Sequence, residues 1–296
     1  MIASGNSTVL FGRGTLKIGR RGKQRSILLV ALHRPRSMNA FNDDMYEDLI
    51  DLMKATINDD SVAAIVLTGT GEYFSSGADL KNGNFHPEAG GRRTLQKPAG
   101  RFMMALIAYP KIIAAAVQGP AVGIAVTLLM HCDLVHASND ATFWAPFTRL
   151  ALVPELCSSV TFRESMGLSK GNELLLLGKK IDATTAYNYN IISRVVEPAN
   201  QTNDKTSFDY TNNVAENLCT EMDRGLLTLP LGARTSSYFV RLIRGGQRKE
   251  QLQEVCRREL VLLDERFDNG HTLEAAKSLK IGSNGKQRPP NHKARL

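Results

Sequence analysis

Pro110-Lys-Ile-Ile-Ala-Ala-Ala-Val-Gln-Gly-Pro-Ala-Val-Gly123 runs from a proline stop through six apolar residues into a turn, and a second apolar segment, Ile124 to Met130, follows at once. Ile112 to Val117 is short, apolar throughout and rich in branched residues, which predicts a buried strand. Gln118-Gly119-Pro120 is the turn that ends it, and Ile124 to Met130 is predicted as the helix that turn opens. The first N–H groups of such a helix have no partner inside it. Asp133 to Ala137 reads as one more short strand.

The same grammar holds upstream. Ser26 to Leu32 reads as a buried strand stopped by His33-Arg34-Pro35. Asn42 to Asp59 carries Met45, Leu49, Ile50, Met53 and Ile57 at helical spacing behind an Asn42 cap, and Val62 to Gly69 is a second strand. Strand, helix, strand is a βαβ arrangement, and it recurs with a helix from Arg101 to Tyr109, halted by Pro110. Gly83 to Lys97, rich in glycine, asparagine and charge, reads as a mobile loop. After Asp182 the pattern turns helical, with amphipathic segments at Tyr210–Leu227, Thr235–Gly245, Glu250–Phe267 and Thr272–Lys280. The chain therefore divides by pattern into an α/β core, residues 1–205, and a helical region, 206–296, suited to closing a site or forming a subunit interface.

With 296 residues the chain buries a sizeable core. Its net charge of +8 fits a polyanionic partner, either a phosphate-bearing small molecule or a nucleic acid. Arg and Lys are dispersed without interleaved aromatics, which argues against nucleic acid. Cys132, Cys157, Cys219 and Cys256 form no CxxC pair and predict free thiols in a reducing compartment. His131 and His136, five apart across a helix–strand junction, are not read as a metal pair. No apolar run reaches the roughly 20 residues of a membrane span, and the first residues lack the pattern of a secretory signal. The chain ends in Ala294-Arg295-Leu296, of the same type as the peroxisomal Ser-Lys-Leu address; a solvated tail is the alternative, with a cytoplasmic location.

Five pieces stand in one order: His33-Arg-Pro35 with Asn39-Ala-Phe41; Phe74-Ser-Ser-Gly-Ala-Asp-Leu80; Pro110 to Gly123; Cys132-Asp133; and Gly178-Lys-Lys-Ile-Asp-Ala183 before Val195-Val196. Together they resemble the enoyl-CoA hydratase/isomerase, or crotonase, family over about residues 25–200. The resemblance implies a spiral of ββα units with a helical C-terminal region, assembled as a homotrimer or hexamer. It implies a thioester enolate held by two backbone N–H groups, and maps these onto Ala78 and Ile124. Around them, Ser76, Gly77, Asp79, Leu80 and Gly123 are expected to border the substrate. Arg34 and the basic C-terminal helices are candidates for the coenzyme A phosphates, with exposed charge as the alternative. Asn82 and the loop after it are candidates to border the acyl chain.

Hydratases of this family use two glutamates, and the matching positions here are Thr127 and Phe147, neither of which moves a proton at neutral pH. Hydration is therefore disfavoured. In Val153-Pro-Glu-Leu-Cys-Ser-Ser159, Glu155 matches the glutamate of the peroxisomal type of Δ3,Δ2-enoyl-CoA isomerases, and its apolar neighbours suggest a pocket that raises its pKa. One such carboxylate suffices to carry a proton from C2 to C4 of a 3-enoyl thioester. Asp79 and Asp133 are read as turn braces and Glu164 as surface charge. No metal or redox cofactor is expected. Another acyl-CoA enzyme of the same fold is the first rival reading, and an RNA-binding scaffold the second.

Overall fold

The computed structural model describes residues 8–80, 93–197, 208–227 and 232–278. The chain order is β1 (Val9–Phe11), β2 (Leu16–Arg21), β3 (Ile27–Leu32), α1 (Asp43–Ile57), β4 (Ala64–Gly69), α2 (Pro98–Ala108), β5 (Ile112–Val117), β6 (Ala121–Val122) and α3 (Ile124–Thr127). Then come β7 (Leu134–Ser138), β8 (Thr142–Trp144), α4 (Ser158–Met166), α5 (Leu168–Leu177), β9 (Ile181–Asp182), α6 (Ala183–Asn188) and β10 (Arg194–Val196). Among the described residues, four α-helices follow: α7 (Phe208–Met222), α8 (Gly232–Arg244), α9 (Gly246–Asp268) and α10 (His271–Ser278).

Seven strands form a sheet in the order β1-β2-β3-β4-β5-β7-β10, antiparallel up to β3 and parallel from there on. A smaller sheet, β6-β8-β9, is extended by bridges between Ser75 and Ala121 and between Phe41 and Ala78. Each turn of the spiral thus lays one strand in the large sheet, one short extended piece in the small layer, and one helix. The sets are β4, residues 75–78 and α2; β5, β6 and α3; β7, β8 and α4.

Burial on both faces explains why β3, β4 and β5 are unbroken apolar runs. Leu28, Val30, Ile65, Leu67, Ala115 and Val117 pack in the core shared with α1 and α2. Ile27, Leu29, Ala64, Val66, Ala114 and Ala116 pack with Val214, Ala215, Leu218 and Met222 of α7. Val255, Cys256, Leu260, Leu263 and Phe267 of α9 join the first core. The C-terminal helices therefore complete the core that the spiral begins.

Asn42 caps α1 as predicted, accepting the N–H of Met45 at 3.1 Å. Three sequence readings change. The helix expected over Ile124 to Met130 is a single α-turn, α3, continued by a 3-10 turn over Leu128–His131. Helices α4 and α5 precede Asp182, where the helical pattern was expected to begin. Residues 9–21, which carry no readable motif, form two antiparallel strands on the sheet edge. Of the loop expected over Gly83 to Lys97, residues 94–96 form a 3-10 turn; 81–92, with Asn82, lie outside the described residues.

Candidate active site

The two glycine turns meet at the ends of β4 and β5. Gly77 has φ +87°, and a Cβ on it would lie 2.7 Å from the Val122 carbonyl oxygen and 3.8 Å from Gly123 Cα. Only a residue without a side chain permits that approach, which sets the peptides of Ala78 and Ile124 side by side. Phe41 N–H donates to Gly77 O at 2.8 Å and Phe41 O accepts from Asp79 N–H at 2.9 Å. Backbone groups alternate along an extended segment, so the Ala78 N–H faces away from Phe41. Gly123, at φ +57°, turns the chain into α3, and a Cβ there would meet nothing within 4 Å. Among the described residues, neither the Ala78 nor the Ile124 N–H has an acceptor. Two unpaired donors on adjoining turns are what a developing oxyanion requires.

The turn is held from below. Ser75 Oγ donates to Asn39 O at 2.8 Å and accepts the Gly77 N–H at 3.1 Å. Ser76 N–H donates to Met38 O at 2.9 Å. Arg34 Nη1 donates to Asp79 Oδ2 at 3.0 Å and also to Ala40 O. At least this nitrogen of Arg34 braces the turn after Ala78. Leu80 is half-buried at the end of the segment.

Glu155 is half-buried just before α4. Its backbone N–H donates to Ser158 Oγ at 3.1 Å, but no described residue donates a hydrogen bond to its carboxylate. Burial, and then the charge of Glu259, push its pKa up to about 7. A carboxyl group near that value both accepts and returns a proton at neutral pH. Tyr46 is fully buried, and its phenol is pushed well up, first by burial and then by the Glu155 charge. Tyr46 packs on Phe41 at 5.4 Å between ring centroids, and Phe41 bridges Ala78. From the other side, the 3-10 turn that continues α3 ends at His131, whose Nε2 lies 2.9 Å from Leu156 O.

Thr127 and Phe147, the hydratase positions, are both buried, and Thr127 Oγ1 donates to Ile124 O at 3.3 Å. Asp133 accepts from Ile113 N–H at 2.9 Å and from Arg244 at 2.8 Å, as a brace between strands. Glu164 pairs with Arg248 at the surface. His131 and His136 are buried in different surroundings, His131 against Leu156 and His136 4.0 Å from Glu221. A groove of about 680 Å³ at the far end of β7, lined by Cys132, Asp133, Ser165 and Tyr187 among others, contains none of the predicted site residues.

Sequence reasoning missed Glu259 on α9, which is 5 % exposed and accepts the Cys157 N–H at 2.6 Å and the Ser159 N–H at 3.0 Å. The readable signal was its register: Cys256, Glu259, Leu260 and Leu263 share one helical face, so a carboxylate sits in an apolar stripe.

The family model for enoyl-CoA hydratase/isomerase matches residues 22–219. This chain belongs to that family. A crotonase-family enzyme, enoyl-CoA hydratase/isomerase from Pseudoalteromonas atlantica T6c, has the same fold with a TM-score of 0.76, at 29 % identity over 93 % of this chain and 100 % of that one. Among curated relatives, the chain is 41 % identical over 172 residues to enoyl-CoA delta isomerase 2 of Homo sapiens, covering 57 % of this chain and 43 % of that one. It is 42 % identical over 173 residues to enoyl-CoA delta isomerase 3, peroxisomal, of Mus musculus, covering 57 % and 54 %. The chain spans about half the length of these two crotonase-family relatives.

Proposed function

We propose that this chain is an isomerase that shifts the double bond of a 3-enoyl-CoA to the 2 position. The observation that carries this reading is the half-buried carboxylate of Glu155, whose pKa is pushed up to about 7 and which has no hydrogen-bond donor among the described residues. Thr127 and Phe147 put no carboxylate at either position that the hydratases of the family use to hold a water.

In the forward step ionised Glu155 takes a proton from C2. The C–H electron pair becomes the C1–C2 double bond of a dienolate, and the thioester oxygen gains charge against the Ala78 and Ile124 N–H groups. In the return step the carbonyl re-forms, C2 and C3 become doubly bonded, and the proton passes from Glu155 to C4. Each N–H is worth about 3 kcal/mol at the transition state. This relay calls for no metal or redox cofactor.

The printed names of the human and mouse relatives support an isomerase, and the mouse name supports a peroxisomal location through a tail such as Ala294-Arg295-Leu296, read by an import receptor. That tail lies outside the described residues. Tyr238, Phe239, Leu242 and Ile243 expose a large apolar face on α8, which suits coverage by further copies in a homotrimer or hexamer.

The test is to incubate the purified protein with a 3-enoyl-CoA and, separately, a 2-enoyl-CoA. Isomerisation of the first without hydration of the second supports the proposal. A 3-hydroxyacyl-CoA product points instead to a hydratase, and salt-sensitive RNA binding without turnover to the scaffold reading.

A further inference from the structure

Leu156 and Cys157 follow Glu155 with φ +51° and +64°, two consecutive non-glycine residues in the left-handed region. Such backbone persists only where its surroundings hold it. Three partners hold this turn: Glu259, the Leu252 carbonyl and His131. Glu259 Oε2 accepts the Cys157 N–H at 2.6 Å, and Glu259 Oε1 accepts the Ser159 N–H at 3.0 Å together with the Ser159 hydroxyl. Cys157 Sγ donates to Leu252 O at 3.0 Å. His131 Nε2 lies 2.9 Å from Leu156 O, a carbonyl that only accepts, so this nitrogen carries the proton. Burial pulls the His131 pKa down to about 4, so the ring is neutral when it makes this bond.

We infer that Glu259 is a positioning residue for the proton relay: its buried carboxylate clamps the left-handed turn at Cys157 and just after it, at Ser159, and so aims Glu155 at the substrate. The inference rests on the Glu155 reading and deepens it. It also gives the helical C-terminal region a part in the chemistry. One turn further along α9, Asp264 accepts the Thr94 N–H at 2.9 Å and the Thr94 hydroxyl, so the same helix fixes the residues that lead into α2.

Glu259 acts on Glu155 by charge as well as by geometry. The charged and titratable groups around the pair include Tyr46 of α1, which feels Glu155, Arg258 of α9, which feels Glu259, and the thiols of Cys157, which feels Glu259, and of Cys256 against it; burial pushes the Glu259 carboxyl itself upward. Arg248 of α9 and His131 lie against the turn through Cys157 and Leu156. None of them donates a hydrogen bond to Glu155, so the negative charge at Glu259 helps keep it basic.

The test is a pH profile of 3-enoyl-CoA isomerisation by the full-length wild type, Glu259→Gln, Ser159→Ala and Glu155→Gln. A glutamine offers one acceptor oxygen where the carboxylate uses two, and no charge. Glu259→Gln is expected to lose about 100-fold in kcat with KM little changed, and the acid limb of its kcat/KM profile should move to lower pH. Ser159→Ala loses one bond and keeps the charge, so kcat should fall by about 10-fold with the limb in place. Wild-type kcat and an unmoved limb in Glu259→Gln, beside an inactive Glu155→Gln, would overturn the inference and leave the relay standing. An active Glu155→Gln would overturn the relay itself. If Glu259→Gln does not fold, Ser159→Ala decides: a wild-type kcat there rejects the clamp.

Discussion

Gly77 stands against Val122 so closely that any Cβ at position 77 would lie 2.7 Å from the Val122 carbonyl oxygen. The contact couples the two turns that present the Ala78 and Ile124 N–H groups, and its consequences are measurable.

Gly77→Ala must either open the contact or strain a φ of +87°. The expected outcome is a fall in kcat of about 10²-fold, as for loss of one oxyanion donor, with about 1–3 kcal/mol lost in denaturant unfolding. Normal turnover in a folded Gly77→Ala protein would show that the two turns need not touch for catalysis.

Arg34 and Asp79 form an ion pair whose side chains are 21 % and 10 % exposed. Asp79→Asn should weaken the brace behind Ala78 and lower kcat about 10-fold with a small change in KM. A change confined to KM, and strongly salt-dependent, would instead assign Arg34 to the coenzyme A phosphates.

The pKa of Glu155 is raised from 4.5 to about 7 in the folded protein, so between those values the folded state binds more protons than the unfolded one. Stability therefore falls as pH rises through this window and is level above it. Glu155→Gln removes that cost. At pH 8 it should be more stable than wild type by on the order of 2 kcal/mol, and at pH 4 about equal to it. Urea unfolding at the two pH values checks this; equal stabilities at pH 8 would mean that Glu155 is not enclosed.

Asp48 is a buried carboxylate of a different kind. It accepts the Arg13 and Thr15 N–H groups at 2.8 and 3.2 Å and the Thr15 hydroxyl at 2.6 Å, tying β2 and the turn before it to α1. Asp48→Ala should cost about 2–4 kcal/mol of stability while kcat at low temperature stays near wild type. A large loss of kcat in the folded variant would contradict a purely structural role for Asp48.

Much of this was legible in the sequence because its signals are local. The runs Ile27–Leu32, Ala64–Gly69 and Ile112–Val117 announce buried parallel strands, and Gly77 and Gly123 mark turns that no other residue could make as cheaply. The choice of Glu155 came only from the family resemblance, since a glutamate after a proline in a loop says nothing of its burial. Glu259 was hidden because its partners, Cys157 and Ser159, lie about a hundred residues away. Strands β1 and β2 were hidden for a related reason. They carry no motif and take their conformation from pairing, β2 with β3 and β1 with β2, a tertiary effect that outweighs local preference.

The most direct measurement is turnover of a 3-enoyl-CoA by Glu155→Gln, made beside a circular dichroism spectrum of the same preparation. The proton relay predicts a native spectrum and at least about a 10³-fold loss of isomerisation, since the only shuttle has been removed. A native spectrum with turnover within a few-fold of wild type would contradict it.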